Sequence, residues 1–591
     1  FNAKTSYEPQ SYYVRDLVNT YPKFIKGGVF SQSGDDYSGY NLRFQAEYNK
    51  TFADKHKFTA LAGTEVISAT TELIPSVTRY GFNKYTNSVV REIDYVTNLD
   101  DIFGNTGSKS TNPYVAPGEL NTYSERFFSV YANAAYTFDN RYSLTASFRT
   151  DASNYQAIDV RQKFSPFWSV GAGWIISNEE FIKDYSDVNL LKLRASYGIA
   201  GVAAGKSETS SVTTLATSAG LAARNYGESY SYVPSNQRGN TSLTWEKSRT
   251  LNVGVDYGFF GNKLFGSVDF YNRYSYDVLS PATVPVISQG ITKATFNNAE
   301  VLNRGVEISV GTYLRIVDAL NWSGMFNYSY NSNKVTKFLV TSDFNATTPD
   351  YIEGYPISFV LGMIPSGYTS VGQVILQGKD GTTETIINKA TSHYQEILSR
   401  EDGDPIAANN WIYYMGSRTP KHELSFSNSF SYKGFTLSFM ITGRFGYVFR
   451  KGGQLGNTYY FASFSKELEN SFIVYDQGYG NQSGYSAYPL FNDANYPLFN
   501  TDQAYYYMSM VRDMFSNNIL PGAHIRLNEI YLGYDLPANI IRKQNVFSRV
   551  NVYAQASNLG VIWSKSGMDP DYPVGSLKPM ATYTFGLKLN F

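Results

Sequence analysis

The chain has no cysteine, which excludes a disulfide framework and any thiolate metal site. It has only four histidines, His56, His393, His422 and His524. None stands at metal-ligand spacing from another, so they read as isolated strand or surface residues. A Ser–His–Asp or Cys–His catalytic arrangement therefore has little raw material. The 50 basic and 50 acidic residues cancel, leaving no net field to attract nucleic acid. No basic run with interleaved aromatics appears either. The glycine pairs within 201–205 and 451–453 fit no phosphate-loop spacing. Fifty acids offer many carboxylate pairs, but no particular pair stands out for glycoside cleavage. Mean hydropathy is negative, and no apolar run approaches the roughly 18 residues that a membrane-spanning helix needs.

What the chain does have is aromatic and glycine residues: 51 Tyr, 39 Phe, 6 Trp and 48 Gly among 591. Aromatic side chains suit strands, and Tyr and Trp suit membrane–water interfaces, where one end of the ring system is dry and the other wet. The arrangement is strictly alternating. In the closing stretch "YTFGLKLNF", Tyr583, Phe585, Leu587, Leu589 and Phe591 fall on one face of a strand, and Thr584, Gly586, Lys588 and Asn590 on the other. The same two-residue period separates Leu42, Phe44, Ala46 and Tyr48 from Arg43, Gln45, Glu47 and Asn49. It separates Leu191, Leu193, Ala195 and Tyr197 from Lys192, Arg194 and Ser196. It recurs in "RYSLTASFR", "LNVGVDYG", "FTLSFMI" and "VNVYAQAS". About 16 or 17 such segments occur, many near the ten-residue length of a transmembrane β-strand.

Tight connections at 53–55, 139–140, 259–262 and 433–434 alternate with long ones at about 73–123, 201–244, 277–302, 339–421 and 450–523. Outer-membrane barrels alternate in this way, with short periplasmic turns and long extracellular loops. The expected fold is all-β, a transmembrane antiparallel β-barrel, with one short helical turn over 178–189. Only helices and closed barrels satisfy their backbone groups in lipid, and the helical option is already gone. A soluble all-β glycan-binding or glycan-cleaving protein is the rival of a different class. It would have to expose apolar patches far larger than soluble monomers carry.

Several stretches in order carry a family resemblance. They are "RYSLTASFRTDASNY", "FSPFWSVGAGWIISNEEFIKD", "LLKLRASYGIAG" and "LTWEKSRTLNVGVDYGFFGNKLFGSVDFYNRYSYDVL", followed by "NNAEVLNRGVEISVG" and "MGSRTPKHELSFSNSFSYKGFTLSFMITGRFG". The series ends with "HIRLNEIYLGYDLP", "NVYAQASNLGVIWSKSGMDPDY" and the terminal "TYTFGLKLNF". Together the chain resembles the SusC-like (RagA/SusC) TonB-dependent outer-membrane transporters of Bacteroidota. The resemblance implies a barrel of about 22 strands with a plugged lumen, and import of an oligosaccharide or oligopeptide without covalent chemistry. It implies a SusD-like surface lipoprotein as lid, TonB as the energy-coupling partner, and a Gram-negative outer membrane with its lipid and lipopolysaccharide as the surroundings. It implies that the terminal strand, Tyr583 to Phe591, is the end that barrel assembly recognises.

Residues 1–591 then form the C-terminal part of one such barrel. The first residues, "FNAKTSYEPQ", have neither the basic start nor the apolar core of a secretory leader. The expectation is that the plug, the TonB contact segment and the first strands precede residue 1 in the native protein. A scaffold subunit of a larger outer-membrane assembly or secretion complex, and a passive porin, are the alternatives within the same membrane class.

Function should concentrate in the long loops. Trp411, Tyr413, Tyr414, Tyr459, Tyr460, Tyr505, Tyr506 and Tyr507 are candidates to contact ligand or lid, since tyrosine offers broad amphipathic contact at low entropic cost. The competing reading is that these rings hold the loops together. Asp402 and Asp404 stand two apart, as calcium ligands do, but the rest of a calcium-loop pattern is missing, so a solvated turn is favoured and no cofactor is expected. On the wet face, Arg149, Asp151, Lys192 and Arg194 should line the lumen, paired with one another or with a plug.

Overall fold

The computed structural model describes residues 2–6, 28–83, 85–90, 121–154, 164–183, 185–202, 216–218, 230–232, 243–283, 293–338, 351–368, 374–385, 406, 410–451, 515–541, 546–572 and 578–591. Sixteen strands form a single sheet, hydrogen-bonded in chain order. They are β1 (Asn2–Ser6), β2 (Gly28–Phe52), β3 (His56–Phe82), β4 (Asn121–Phe138), β5 (Tyr142–Ser153), β6 (Ser165–Ile175), β7 (Val188–Val202) and β8 (Glu246–Phe259). Then follow β9 (Leu264–Thr283), β10 (Lys293–Val317), β11 (Leu320–Phe338), β12 (His422–Tyr432), β13 (Phe435–Phe445), β14 (His524–Asp535), β15 (Arg549–Ser564) and β16 (Thr582–Asn590). Neighbours pair antiparallel throughout, so connections after even-numbered strands lie at one end and the rest at the other.

The even end is built from tight turns. Ala53 and Asp54 (φ 45° and 57°), Asp139 and Asn140 (51° and 52°), and Lys433 and Gly434 (46° and 89°) carry the paired positive φ of type I′ hairpins. That turn twists with the strands instead of splaying them. The helical turn expected over 178–189 is a 3-10 turn, Ile176–Asn178, followed by one α-helical turn, Glu180–Lys183.

Glu179 sits between those two turns and accepts hydrogen bonds from Tyr142 Oη (2.5 Å), Arg141 Nη1 (2.8 Å) and Trp174 Nε1 (2.9 Å). These donors, the Tyr142 hydroxyl foremost, hold its carboxyl below the usual carboxylate range. A depressed folded-state value means that the contribution is present above the unfolded carboxylate pKa and is lost as pH falls through the folded one. The Trp174 fluorescence, taken as the difference between wild type and Trp174→Phe, should therefore titrate with a midpoint below the ordinary glutamate value. A midpoint at or above that value would contradict the arrangement.

The odd end carries the long connections, and its strands run further than their sequence pattern suggests. β2 and β3 hold 25 and 27 residues, a contour of roughly 80–90 Å at strand rise, whereas the hydrocarbon core is only about 30 Å thick. The hairpin arms therefore project past the bilayer. β9 and β10 stay paired out to Thr283 and Lys293, inside the loop expected over 277–302, and β3 reaches Phe82 inside the one expected over 73–123. The physical cause is a change of phase. Asp277 (φ 55°) interrupts the ladder between Ser275 and Val278, and β2 shifts register between Gln32 and Gly34. Beyond such a bulge the faces exchange, so a two-residue period breaks although pairing continues.

The two faces of the sheet differ. Exposed Leu42, Phe44, Leu144, Phe148, Val170, Leu251, Val253, Phe270, Leu437, Leu532 and Phe585 line one of them. Stacked rings border that face near the tight turns: Phe138 on Tyr142 (6.4 Å), Tyr142 on Trp174 (6.4 Å), Trp322 on Phe430 (6.2 Å) and Phe435 against Tyr534 (4.3 Å). At the other border stand Trp168 with Tyr197, Tyr330 with His422, and Phe445 with Trp563. An apolar band between two aromatic girdles is the outer surface of a membrane barrel.

The opposite face is polar and carries a repeated brace. Tyr271 on β9 lies across Gly305 on β10 and donates to Asn331 Oδ1 on β11 (3.1 Å). Tyr131 on β4 crosses Gly63 on β3 to reach Gln45 on β2 (3.2 Å), and on the apolar face Tyr257 on β8 crosses Gly266 on β9 in the same way to the Ser309 carbonyl on β10 (3.2 Å). In each brace the ring fills the space that a strand glycine leaves bare. A Cβ on Gly305 would stand 2.4 Å from the Tyr271 ring and 2.5 Å from the Tyr330 carbonyl oxygen. Gly305→Val should thus displace the ring and destabilise the barrel by about 1–3 kcal/mol, while Tyr271→Phe should cost only about 1 kcal/mol for the lost hydrogen bond. Urea unfolding in vesicles compares the two, and equal costs would refute the brace.

Candidate functional site

The charged residues expected to line the interior lie on that polar face, and three of the four are neutralised within it. Arg149 donates from Nε to Asp151 (2.8 Å) and from Nη2 to Ser129 Oγ (2.9 Å), and stands 3.5 Å from Glu65. Glu65 is buried and also receives Arg43 at 2.6 Å. Arg194 bridges Asp256 (3.1 Å) and Asp269 (2.7 Å) across β8 and β9. Lys192 makes no ion pair among the described residues.

The densest charge cluster was not singled out from sequence. The connection after β15 folds back so that Met568–Tyr572, "MDPDY", lies against β13 and β14. Arg526 Nη2 donates to Asp569 (2.6 Å) and Asp571 (3.1 Å), and its guanidinium lies 5.5 Å over the Tyr572 ring. Arg444 pairs with Asp571 (3.0 Å) and with Glu423 (3.3 Å). His524, which reads from sequence as an isolated residue, is buried here. Its Nδ1 stands 2.9 Å from the Gly522 carbonyl and its Nε2 3.5 Å from Asp571. Arg526 and His524 are two apart in "HIRLNE", so alternation puts both on the polar face. The readable signal was that spacing together with an Asp-Pro-Asp turn; which arginine meets which aspartate depended on the loop returning to the wall.

Beside this latch is a cavity of about 480 Å³, lined by Asp269, Glu307, Asn327, Glu423, Arg444 and Asn528 among others. Its lining also includes Ile308 and Leu424, but the charged and amide side chains present donors and acceptors of both charges. That suits hydrogen-bonding cargo or another polypeptide surface better than an apolar ligand.

The long connection between β11 and β12 builds most of a small body, to which the connection between β13 and β14 adds Phe515. Ile352, Phe359, Leu361, Met363, Leu376, Ile406, Ile412 and Phe515 are buried together, with Tyr355 and Trp411 packed on them. The Tyr414 ring lies 5.2 Å from Tyr355 and 6.2 Å from Phe359. Tyr413 donates to the Gln377 carbonyl (3.1 Å), with Lys379 5.6 Å above its ring. Trp411, Tyr413 and Tyr414 thus have contacts inside the loop body. Tyr459, Tyr460, Tyr505, Tyr506, Tyr507, Asp402 and Asp404 lie outside the described residues. At the chain end, Tyr583, Phe585, Leu587, Leu589 and Phe591 are exposed on the apolar face of β16, and Phe591 packs against Phe547 at 5.2 Å. Among the described residues no His/Cys/Asp/Glu group has the form of a metal site.

A chain-ordered antiparallel sheet with an apolar, girdled outer face and a charge-paired inner one defines a β-barrel of the outer membrane. The chain belongs to the TonB dependent receptor-like, beta-barrel family, whose model matches residues 2–490. It is 26% identical over 595 residues to the TonB-dependent receptor P39 of Formosa agariphila, covering 94% of this chain and 51% of the relative. To the TonB-dependent receptor SusC of Bacteroides thetaiotaomicron it is 25% identical over 487 residues, 78% of this chain and 43% of the relative. The chain spans about half the length of the curated relatives it matches. Among solved structures, the RagAB peptide importer in its open-open state superposes with a TM-score of 0.69 at 20% identity, over 95% of this chain and 56% of that one.

Proposed function

We propose that this chain is the barrel of an energy-coupled importer that takes up an oligosaccharide or oligopeptide, with TonB supplying the force and a SusD-like lipoprotein closing the outer mouth. The observation that carries this reading is the polar inner wall, most of whose charges are paired across strands and which holds a cavity bordered by acids, Arg444 and amide side chains. Such a wall passes or holds hydrogen-bonding cargo without binding it irreversibly. Membership in the family supports TonB coupling. Similarity to a barrel described as part of a peptide importer supports the peptide class, and the SusC-like resemblance of the sequence motifs is what suggests the oligosaccharide class and the lid.

The test is a deletion strain grown on panels of defined oligosaccharides and oligopeptides, with and without a protonophore, alongside detergent purification of the tagged full-length protein. The expected result is at least a tenfold loss of uptake for one cargo class, the same loss with the protonophore, and a co-purifying surface lipoprotein. Normal uptake of every cargo, with secretion or assembly proteins recovered instead, would replace import with the scaffold role.

A further inference from the structure

Cations gather on the outward face, where a membrane protein has least reason to put them. Pairing in the ladder sets the geometry. Leu251 and Val253 of β8 belong to the apolar band, so Arg249 and Lys247, two and four residues further along, lie on the same face. Across the ladder Arg249 pairs with Tyr274 and Lys247 with Tyr276 of β9. Tyr274 pairs with Leu302 of β10, and Leu302 with Lys334 of β11. Arg304 of β10 lies opposite Asn272, itself opposite Leu251. The outward face of β8–β11 thus carries Lys247, Arg249, Arg304, Lys334 and Lys337.

Two acids share the patch. Asp277 takes Lys247 at 3.0 Å, and Glu300 takes Lys337 at 3.9 Å and the Tyr274 hydroxyl. Arg249, Arg304 and Lys334 are exposed and form no ion pair among the described residues. The Arg249 guanidinium stands over the Tyr274 ring, 4.4 Å from its centroid, a cation–π contact that does not use up its N–H donors.

The height of the patch is set by chain length. Arg249 is ten residues from Phe259 at the tight-turn girdle, and Lys334 is twelve from Trp322. Ten residues of tilted strand is about one bilayer crossing, so the cations stand at the far edge of the apolar band, next to the second girdle. Outer-membrane barrels turn their long loops outward, which places this edge in the outer leaflet.

We propose that the outward face of β8–β11 binds the phosphorylated sugar headgroup of an outer-leaflet glycolipid of the lipopolysaccharide class, with Arg249, Arg304 and Lys334 on its phosphates. Continuity decides the occupant. The patch joins the apolar band without a gap, so its ligand has acyl chains that lie along Leu251, Val253 and Phe270 and an anionic head at the height of Arg249. A soluble anion has no use for the apolar half, and a nucleic acid would not reach a face belted by lipid. Arginine supplies forked donors for phosphate and lysine a point charge. The inference rests on membrane placement and not on import, so it stands or falls separately from the transport reading.

The test is native mass spectrometry of the full-length protein in detergent with three probes: diphosphoryl lipid A, the same lipid dephosphorylated, and inorganic phosphate. The phosphorylated lipid should be retained at least tenfold more than the dephosphorylated one, and millimolar phosphate should not displace it. The combined variant Arg249→Gln, Arg304→Gln, Lys334→Gln should lose tenfold or more of that retention, while Arg273→Gln, on the polar face, should keep it. Heat-modified gel migration reports whether each variant is folded. If the combined variant does not fold, Arg304→Gln alone replaces it, and the lipid comparison on the wild type still decides. Equal retention of the two lipids, full displacement by phosphate, or wild-type retention by a folded variant would overturn the site.

Discussion

Replacing Val253 with arginine is expected to destabilise the folded barrel by about 2–4 kcal/mol, the cost of an arginine on the lipid face near the bilayer midplane. Val253 sits six residues above the tight-turn girdle at Phe259, opposite Phe270 on β9 and Ala195 on β7, all on the apolar face. Too far from either surface for its guanidinium to reach water easily, the new side chain would have to thin the bilayer or draw water in. The neighbouring polar face gives the control. Thr145 is exposed there, and Thr145→Arg should change stability by less than about 1 kcal/mol because inward positions are wetted. Urea titration of both variants refolded into vesicles reads the difference. Equal destabilisation would mean that the two faces have been assigned the wrong way round.

Arg526→Ala should free the connection after β15 from the wall. Asp569 is almost wholly buried and depends on Arg526 at 2.6 Å, with Lys578 no nearer than 4.0 Å. Removing one partner of a buried pair leaves an uncompensated charge, worth about 3 kcal/mol and roughly a hundredfold in the opening equilibrium. Lys565 and Lys578 flank the latch, so trypsin cleavage there should accelerate strongly. Arg526→Lys should restore only part of the protection, because lysine keeps the charge but gives up the guanidinium contact over the Tyr572 ring. Arg273→Ala is the matched control on the same face. A cleavage rate no faster than in that control would show that the ion pairs do not hold the loop.

How legible the molecule was depends on which part is considered. The sheet was legible because its signal is local: a lipid face and a wet face impose a two-residue alternation on every crossing, and Leu251-Asn252-Val253 displays it without reference to any other strand. The ends of the arms were not, since the bulge at Asp277 exchanges the faces while pairing continues. The charges on the inner wall were legible as a set, but their pairing was not. Nothing near Arg149 in the sequence points to Glu65, and nothing near Arg526 points to Asp569, 43 residues on. For Trp411, Tyr413 and Tyr414 composition allowed two readings, and the contacts of the loop body supply the packing one. The glycines went unread, because a glycine needed as a window for Tyr271 looks the same in sequence as a glycine in a turn.

Alone, the sequence determined that this protein crosses a membrane with strands, how many it carries here, which side chains face lipid, and where the tight turns fall. Each of these follows from residues within a few positions of one another. Only the tertiary structure decided that Tyr271 braces three strands through Gly305, that "MDPDY" is latched to Arg444 and Arg526, and that five cations from three strands share one outward patch. Those depend on register between strands, and register is set by the hydrogen-bonded ladder as a whole rather than by any one segment.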